Sequence, residues 1–290
     1  MESWVSDSRF DRALEYRADE SWLSQMWAHP QARVVEIDEQ SRISATVDST
    51  QLRSTPPRGS YDAQRHYLLG LVDEDPWFGM AAAGDGPFAL AYQLNLTLDE
   101  TATDLVMTAL ALVGWHQSAP FCSRCGSLTE VRAGGQHRWC EHCTLLHFPR
   151  TDPAVIVAVV DPADRLLLAH QRVWDPHRMS LLAGFVEAGE SLEQAVHREI
   201  AEESGVRLTQ VRYLDSQPWP FPRSLMLGFV GVARDSEIQV DGVEIEYARY
   251  FSREELTAAV DAGEVLLPGQ ISIAHRIITA WRAGALPAGC

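Results

Sequence analysis

The sequence Gly184-Phe-Val-Glu-Ala-Gly-Glu190, followed after seven residues by Arg198-Glu-Ile-Ala-Glu-Glu-Ser-Gly-Val206, decides the fold. Ser191 is followed three residues later by a glutamine, which is the spacing of a capping box at the start of a helix. Gly205 stands where a helix ends on a residue in the left-handed conformation. The sequence therefore predicts a helix over Leu192–Ser204, preceded by a glycine-bearing loop.

Three glutamates share one face of this predicted helix. Glu199, Glu202 and Glu203 lie at positions i, i+3 and i+4. A solvated acidic face is the usual explanation for such a run, because like charges repel. The preceding loop carries Glu187 and Glu190, however, and both can fold back over the same face. Clustered carboxylate oxygens are the ligands that Mg²⁺ and Mn²⁺ prefer, so the pattern favours a site for divalent ions.

Residues 151–290 are predicted to form one α/β domain around this helix. The domain opens with the apolar run Ala154–Val160, which has the length of a strand. Asp161–Asp164 then forms a turn, and Arg165–His170 is the return strand. Strands and helices alternate afterwards, and the last helix is expected at about Ile271–Arg282.

Residues 1–118 are predicted to form a separate N-terminal α/β domain. Strand-like segments occur at Arg33–Ile37 and Tyr67–Val72, separated by a turn-rich loop, and apolar residues at helical spacing predict a helix at Thr101–His116. No repeat is visible in the sequence, but two sheet-bearing halves leave a degenerate duplication open.

Four cysteines lie between these domains, within residues 119–150. They form two knuckles, Cys122-Ser-Arg-Cys125 and Cys140-Glu-His-Cys143. Two such knuckles at this separation can place four thiolates around one zinc ion, with Gly126 suited to the turn after the first pair. Redox pairs or free thiols are the alternatives. A closed four-sulfur site leaves no position for water, so we expect a structural zinc ribbon.

The composition excludes some classes of function. The 290 residues carry a net charge of −16, which argues against a general nucleic-acid-binding surface. No apolar run is long enough to span a bilayer, and the N-terminal residues do not resemble a signal peptide. We therefore expect a cytoplasmic protein without a membrane partner.

A proline-rich segment, Ser216-Gln-Pro-Trp-Pro-Phe-Pro-Arg-Ser224, lies ten residues after the helix. Its prolines are expected to hold the chain extended, so that Trp219 and Phe221 project as stiff aromatic faces on which a base can stack. A rigid structural loop whose aromatic side chains belong to the core is the alternative, and the residues alone do not decide between them.

The segment Gly184–Val206 resembles the Nudix box at every constrained position. The resemblance implies an α/β/α sandwich and the hydrolysis of a nucleoside diphosphate linked to another group. It also implies that Glu199, Glu202 and Glu203 bind the divalent ions, and that Arg198 orients these glutamates through a salt bridge. Glu202 and then Glu199 are the candidates for the base that takes the proton of the attacking water.

The proline-rich segment and the zinc ribbon are similar to those of the NADH pyrophosphatase (NudC-type) branch of this family. The matching features cover about residues 119–275, and the N-terminal domain is interpreted as degenerate Nudix-like by its position only. The branch implies a mixed α/β (α+β) protein that hydrolyses NAD(H) to NMN(H) and AMP, using Mg²⁺ or Mn²⁺ and a structural Zn²⁺. Removal of NAD caps from RNA 5′ ends and a non-catalytic dinucleotide sensor are the alternatives.

The branch also implies further site residues. Glu244 stands where the branch supplies another metal ligand, with Glu246 as its rival. Phe185 is placed to stack on the nicotinamide. Phe148 stands where the branch commonly has tyrosine. In the branch this aromatic side chain reaches the partner subunit's site, so the resemblance implies a homodimer. The remaining residues expected to line the dinucleotide are Ala183, Gln217, Pro218, Trp219, Pro220, Phe221, Pro222, Arg223, Ser224 and Ala274.

Overall fold

The computed structural model describes residues 8–46, 51–84, 86–91 and 99–286. The chain divides into two compact units. The C-terminal unit consists of Asp152–Pro218 together with the chain from Ser224 onward, and the N-terminal unit consists of the chain up to Thr151 together with Trp219–Arg223. The zinc-ribbon segment therefore belongs to the same unit as the N-terminal sheet. Within the described residues, no helix has the length and apolar character needed to cross a membrane.

The N-terminal unit is built on a six-stranded sheet with the strand order β1-β4-β5-β2-β3-β6. Its elements are β1 (Phe10–Asp11), α1 (Glu20–Trp27), β2 (Arg33–Ile37), β3 (Ile43–Ser44), β4 (Tyr67–Val72), β5 (Asp75–Ala81), β6 (Phe88–Ala89) and α2 (Glu100–Ser118). The predicted strands at β2 and β4 are confirmed, and the predicted helix extends one residue earlier and two residues later. Apolar residues of β2 alternate between two cores, because successive side chains of a strand point to opposite faces.

The ribbon adds a small three-stranded sheet to this unit. It contains β7 (Glu130–Arg132), β8 (His137–Cys140) and β9 (Leu145–His147), in that order. Val131 is buried in the core that α2 covers, and its backbone exchanges two hydrogen bonds with the Gln64 side chain. Arg138 is also buried and bonds both Thr129 and the His116 ring. Buried polar bonds thus fasten the ribbon to the N-terminal sheet.

The C-terminal unit contains a second six-stranded sheet. Its elements are β10 (Asp152–Val160), β11 (Leu166–Gln171), β12 (Leu182–Phe185), α3 (Leu192–Ser204), β13 (Leu208–Trp219), β14 (Ser224–Ala233), β15 (Ile245–Phe251), α4 (Arg253–Asp261) and α5 (Ile273–Arg282). The strand order is β13-β14-β10-β11-β15, with β12 also paired to β10. The last helix begins two residues later than predicted, because Ser272 caps it.

Strand β10 is the centre of this sheet. Val155, Val157 and Val159 point into a core covered by α3, whereas Ile156 and Ala158 point into a core covered by α5. The near-continuous apolar run is therefore explained by burial on both faces. Helices lie on both sides of the sheet, which is the α/β/α sandwich that the sequence predicts.

The two sheets share one strand order. Strands β4-β5-β2-β3-β6 of the first correspond to β13-β14-β10-β11-β15 of the second. In both sheets the pair at the centre is parallel, β2 with β5 and β10 with β14. Helix α2 follows the last strand of the first sheet, and α4 and α5 follow that of the second. The N-terminal sheet differs in having β1 beside β4, in having no counterpart of β12, and in forming no helix among the described residues between β3 and β4.

Candidate active site

Helix α3 begins and ends as predicted. Ser191 Oγ accepts the Gln194 N–H at 3.2 Å, and the Gln194 side chain accepts the Ser191 N–H at 2.9 Å, which completes the capping box. The helix ends at Gly205, whose φ of 70° is left-handed. Ala195, Val196 and Ile200 face the core, so the opposite face is free to carry charge.

Arg198 binds three carboxylates and one carbonyl at the start of this charged face. Its Nε and Nη2 donate to the two oxygens of Glu190, each at 2.8 Å. Its Nη1 donates to Glu199 at 2.8 Å and to Glu202 at 3.2 Å, and Nη2 also bonds the Phe185 carbonyl at 2.9 Å. The bidentate bond from Arg198 lowers the pKa of Glu190 to about 2. Arg198 therefore ties the glycine-bearing loop to the glutamate face.

Glu203 lies in a different environment on the same helix. It is 5% exposed, and its Oε2 has no hydrogen-bond partner among the described residues. Burial, followed by the negative charges of Glu199 and Glu244, raises its pKa to about 8. A buried carboxylate among other carboxylates is unfavourable unless a cation accompanies it.

A cavity of about 460 Å³ opens beside these glutamates, and we call it the glutamate cavity. A side chain at Gly184 would displace the carboxylate of Glu199, because a Cβ there would lie 1.9 Å from the Cδ of Glu199. The carboxylate of Glu199 thus lies directly against the backbone of β12. The lining residues are Ala154, Ala183, Gly184, Phe185, Glu187, Arg198, Glu199, Ser224, Met226 and Glu244.

The structure separates Glu244 from its rival Glu246. Glu244 lines the glutamate cavity, and its charge contributes to the raised pKa of Glu203. Glu246 lies 3.6 Å from Nε2 of the buried His170 instead. The loop before Glu244 is held by Asp241, whose carboxylate accepts the backbone N–H groups of residues 243, 244 and 245.

The donors of this region fit a hard divalent cation. Glu199, Glu202, Glu203 and Glu244 offer only carboxylate oxygens, and Glu203 has a buried oxygen without a partner. Within the described part of the chain, these oxygens are not gathered as closely as the sulfur atoms of the cysteine cluster. Arg198 instead takes up part of the negative charge of Glu199 and Glu202.

The proline-rich segment is a hairpin, so the predicted extended conformation is correct only as far as Trp219. Strand β13 ends there, the chain turns over residues 220–223, and β14 returns from Ser224. Phe221 N–H donates to the Trp219 carbonyl at 2.8 Å within this turn. The prediction was wrong beyond Trp219, because two neighbouring antiparallel strands must be joined by a reversal.

The side chains of this hairpin lie in several environments. Gln217 bonds the Ile271 carbonyl at 2.6 Å and the Ile273 N–H at 2.7 Å, so it fixes the chain that leads into α5. The rings of Trp219 and Phe221 pack edge to face, 5.1 Å apart, and Phe221 packs against the core of the N-terminal unit. Pro220 is buried, Pro218, Pro222 and Arg223 are exposed, and Ser224 lines the glutamate cavity.

The remaining predicted residues differ in what they can offer a ligand. Phe185 lines the glutamate cavity and is 57% exposed, so its ring is accessible to a ligand. Phe148 follows β9 and is 61% exposed, with the His137 ring 6.0 Å away. Ala183 pairs with Ile156 in the sheet and lines the cavity. The N–H of Ala274 already donates to Ser272 Oγ.

The four cysteines converge as the two knuckles predict. All four sulfur atoms lie within 4.8 Å of one another, and the Sγ atoms of Cys125 and Cys140 are 3.6 Å apart. Tetrahedral Zn–S bonds of about 2.3 Å would place sulfur atoms about 3.8 Å apart. Gly126 has a φ of 75°, in agreement with its predicted turn. Cys122, Cys125, Cys140 and Cys143 therefore fit one zinc ion.

Two positioning residues were not recognised in the sequence. Asp241 was not predicted to hold the loop before Glu244, although the N–H groups that it accepts belong to residues 243, 244 and 245. Gly184 was recognised as a box residue without its reason, since the contact with Glu199 joins residues that are distant along the chain. An Asx turn of the form Asp-Gly-x-x could have indicated the first of these.

Comparisons with known proteins agree with this geometry. A NUDIX domain is matched over residues 150–268. The chain is 38% identical to the NAD-capped RNA hydrolase NudC of Mycobacterium bovis (strain BCG / Pasteur 1173P2) over 94% of this chain and 92% of that protein. NudC of Mycobacterium tuberculosis (strain ATCC 25618 / H37Rv) matches with the same identity and coverage.

A human relative matches over a shorter range. The NAD-capped RNA hydrolase NUDT12 of Homo sapiens is 40% identical over 198 residues, which cover 64% of this chain and 43% of that protein. A solved NUDIX hydrolase of Nitrosomonas europaea is 20% identical, with a TM-score of 0.44, and covers 56% of this chain and 90% of that chain. The domain match and the near-complete alignment with the mycobacterial proteins lead to one assignment: the chain belongs to the Nudix hydrolase family, in its NudC-type branch.

Proposed function

We propose that this protein hydrolyses the pyrophosphate of NAD(H) and releases NMN(H) and AMP. The proposal rests on the glutamate cavity, where Glu199 lies against Gly184. It also rests on the buried Glu203, whose Oε2 has no partner among the described residues and whose charge interacts with those of Glu199 and Glu244. Such a cluster of carboxylates requires divalent cations. The phosphate oxygens of a pyrophosphate substrate can coordinate the same cations as the carboxylates. The mycobacterial and human relatives are named NAD-capped RNA hydrolases, which supports an NAD-linked substrate.

The glutamates have distinct roles in this proposal. Glu199, Glu202, Glu203 and Glu244 would hold Mg²⁺ or Mn²⁺. When bound, such ions neutralise phosphate oxygens and lower the pKa of a bound water. Glu202 is the first candidate to accept the proton of the attacking water, because its side chain is 63% exposed, whereas that of Glu199 is 14% exposed. Arg198 positions Glu199 and Glu202 and does not touch the substrate.

The cavity also offers a stacking surface for the substrate. Phe185 is exposed at the wall that carries Glu199, so its ring can cover the nicotinamide while the pyrophosphate faces the glutamates. The hairpin residues from Gln217 to Ser224, with Ala183 and Ala274, would line the rest of the dinucleotide. Gln217 contributes indirectly, since both ends of its amide already bind the chain before α5.

Removal of an NAD cap from RNA is the second candidate function. The relatives are named for that activity, and the bond to be broken is in the same pyrophosphate. The net charge of −16 gives no support to a long RNA partner. A non-catalytic dinucleotide sensor has less support, because every glutamate of the Nudix box is present.

Two further features belong to the same proposal. The four cysteines would bind Zn²⁺ as a structural ion, fully coordinated by sulfur and without a position for water. The protein would act as a homodimer in which Phe148 of each subunit serves the partner subunit's site. The exposure of Phe148, at 61%, is what supports this arrangement.

Product analysis tests the proposal. The zinc-loaded protein is incubated with NADH, NAD, ADP-ribose, a diadenosine polyphosphate or NAD-capped RNA, with Mg²⁺ or Mn²⁺, and the products are separated by chromatography. We expect NMN(H) and AMP from the dinucleotide. If NAD-capped RNA is cleaved with the higher kcat/KM, the second function takes precedence, and cleavage of none of the five would refute both.

A further inference from the structure

The N-terminal unit contains a cavity of its own, which we call the arginine cavity. It has a volume of about 490 Å³, within the range of sites for small molecules. Its floor is the parallel pair β2 and β5, through Val34, Glu36 and Met80. All of its lining residues belong to the N-terminal unit, so it is independent of the glutamate cavity.

The arginine cavity lies on the face that α3 covers in the other sheet. In the C-terminal unit α5 packs on one face of the sheet and α3 on the opposite face. In the N-terminal unit α2 takes the place of α5 and packs with Val35 and Ile37, whereas Val34 belongs to the opposite face. On that face α1 packs through Leu23 and Trp27, and the described residues between β3 and β4 form no glutamate-bearing helix.

The described residues between β3 and β4 carry arginines, whereas α3 carries glutamates. Arg53, Arg58 and Arg65 all line the cavity and are exposed. In the parts of the chain that the structure describes, no carboxylate forms an ion pair with any of the three. Two carboxylates, Glu36 and Asp62, share the lining, and that of Asp62 already accepts the Gln64 N–H. Three arginines thus remain available in a protein of net charge −16.

A rigid hydrogen-bond donor lies in the same wall. His66 Nδ1 accepts the Asp62 N–H at 2.9 Å, so the neutral ring carries its proton on Nε2. Burial lowers the pKa of His66, which favours this neutral form. Trp27 stacks on the ring at 3.8 Å with an interplanar angle of 9°, and its own Nε1 is bonded to the Gly59 carbonyl. The His66 ring is therefore held in one orientation at the cavity wall.

We propose that the arginine cavity binds the phosphate groups of a nucleotide without a metal ion. Arginine donates in a planar fork that matches phosphate oxygens, and three unpaired guanidinium groups around one cavity suit a ligand with more than one negative charge. The two units would thus bind phosphate in opposite ways. The C-terminal unit would bind it through cations held by carboxylates, and the N-terminal unit would bind it directly through arginines. The phosphates come from a free nucleotide or from an RNA chain.

Fluorescence anisotropy can test this site apart from the hydrolytic one. A fluorescein-labelled short RNA with a 5′-monophosphate is titrated with the zinc-loaded protein in buffer without Mg²⁺ or Mn²⁺, and ATP is added as a competitor. The test variant is Arg58→Gln with Arg65→Gln. The matched control is Arg12→Gln with Arg132→Gln, which removes the same charge from exposed positions of the same unit outside the cavity.

We expect the cavity variant to weaken binding by about tenfold for each arginine and the control variant by less than about threefold. Both variants should retain the wild-type melting temperature and the wild-type rate of NADH hydrolysis, so failure of this proposal is distinguishable from failure of the proposed function. Competition by ATP would identify a free nucleotide as the source of the phosphate groups. Binding of RNA that ATP does not compete for would identify the RNA chain as their source.

Two results would overturn the proposal. One is the absence of binding by either probe with a Kd below about 1 mM, a binding free energy of only about −4 kcal/mol. The other is equal weakening by the two double variants, or none by the cavity variant, because the binding would then follow overall charge or another surface.

Discussion

At the residue scale, the ionised form of Glu203 is unfavourable in the folded protein without a cation. Its pKa is raised to about 8 by burial and then by neighbouring carboxylates, against an ordinary value of 4.5. The folded protein therefore holds a proton that the unfolded chain releases between these two values. Without divalent ions, the stability of the fold should fall as the pH rises from about 4.5 to 8 and become level above that range.

Glu203→Gln should remove this pH dependence. In zinc-loaded, magnesium-free protein, we expect the variant to be more stable than wild type at pH 8–9, by at most about 5 kcal/mol, and equal to it near pH 5. Thermal melts over that pH range measure the difference. Glu193→Gln, at an exposed position of the same helix, is the control and should stay within about 0.5 kcal/mol. A constant difference between wild type and Glu203→Gln would contradict the pKa argument.

Phe185 tests substrate recognition at the same scale. Phe185→Ala should raise the KM for NADH, because the nicotinamide loses its stacking partner. The rise should correspond to the loss of about 1–3 kcal/mol of binding free energy, the contribution of one stacked base. ADP-ribose lacks the nicotinamide and should be affected far less. Phe185→Tyr keeps the ring and should retain the wild-type KM. Steady-state kinetics on both substrates decide the matter, and equal losses on NADH and ADP-ribose would exclude stacking.

At the scale of elements, the sequence is most informative where local spacing determines the structure. Helix α3 is predicted to the residue, because Ser191 and Gly205 end it by hydrogen bonds within its own turns. The glutamates on one face follow from the same helical spacing. Arg198 could be identified from the family resemblance, but its bidentate bond to Glu190 depends on how the loop folds back.

Elements that depend on neighbouring strands are predicted less well. The proline-rich segment was expected to be extended throughout, but it turns after Trp219 because β13 and β14 are adjacent in the sheet. The contact of Gly184 with Glu199 also arises only when β12 and α3 pack together. Local spacing cannot give such contacts.

The ribbon is the element whose stability should depend on a metal. The purified protein should contain one zinc ion per chain, bound by the four cysteines. Cys125→Ser should lower the melting temperature before it affects the reaction, because the ion is structural and the ribbon is fastened to the N-terminal core through Val131. Elemental analysis and thermal melts test this. A folded wild-type protein without zinc would count against the assignment.

At the scale of the whole molecule, one strand order is used twice. The C-terminal unit carries the glutamate helix and the Nudix box, and the described residues between β3 and β4 of the N-terminal unit carry arginines instead. This correspondence lies in the order and direction of the strands, so no repeat is visible in the sequence. The matching strand order agrees with the duplication that the sequence leaves open, which stays a prediction.

A mixed dimer tests whether two subunits build each site. One chain carries Phe148→Ala and the other Glu203→Gln. If Phe148 serves the partner subunit's site, one of the two sites keeps both residues intact, and activity should be about half of wild type. If each chain supplies its own Phe148, neither site is whole and activity should collapse. Tagged chains, co-expressed and purified in tandem, provide the hybrid for an NADH assay.

The central claim is that the glutamate face of α3 performs metal-dependent cleavage of a dinucleotide pyrophosphate. The most direct measurement is the rate of NADH hydrolysis by wild type and by Glu203→Gln, with the products identified as NMNH and AMP. We predict that wild type requires added Mg²⁺ or Mn²⁺, and that Glu203→Gln is folded but inactive because a buried metal ligand is lost. Activity of Glu203→Gln within about tenfold of wild type, a change of only about 1.4 kcal/mol in the barrier, would contradict this account.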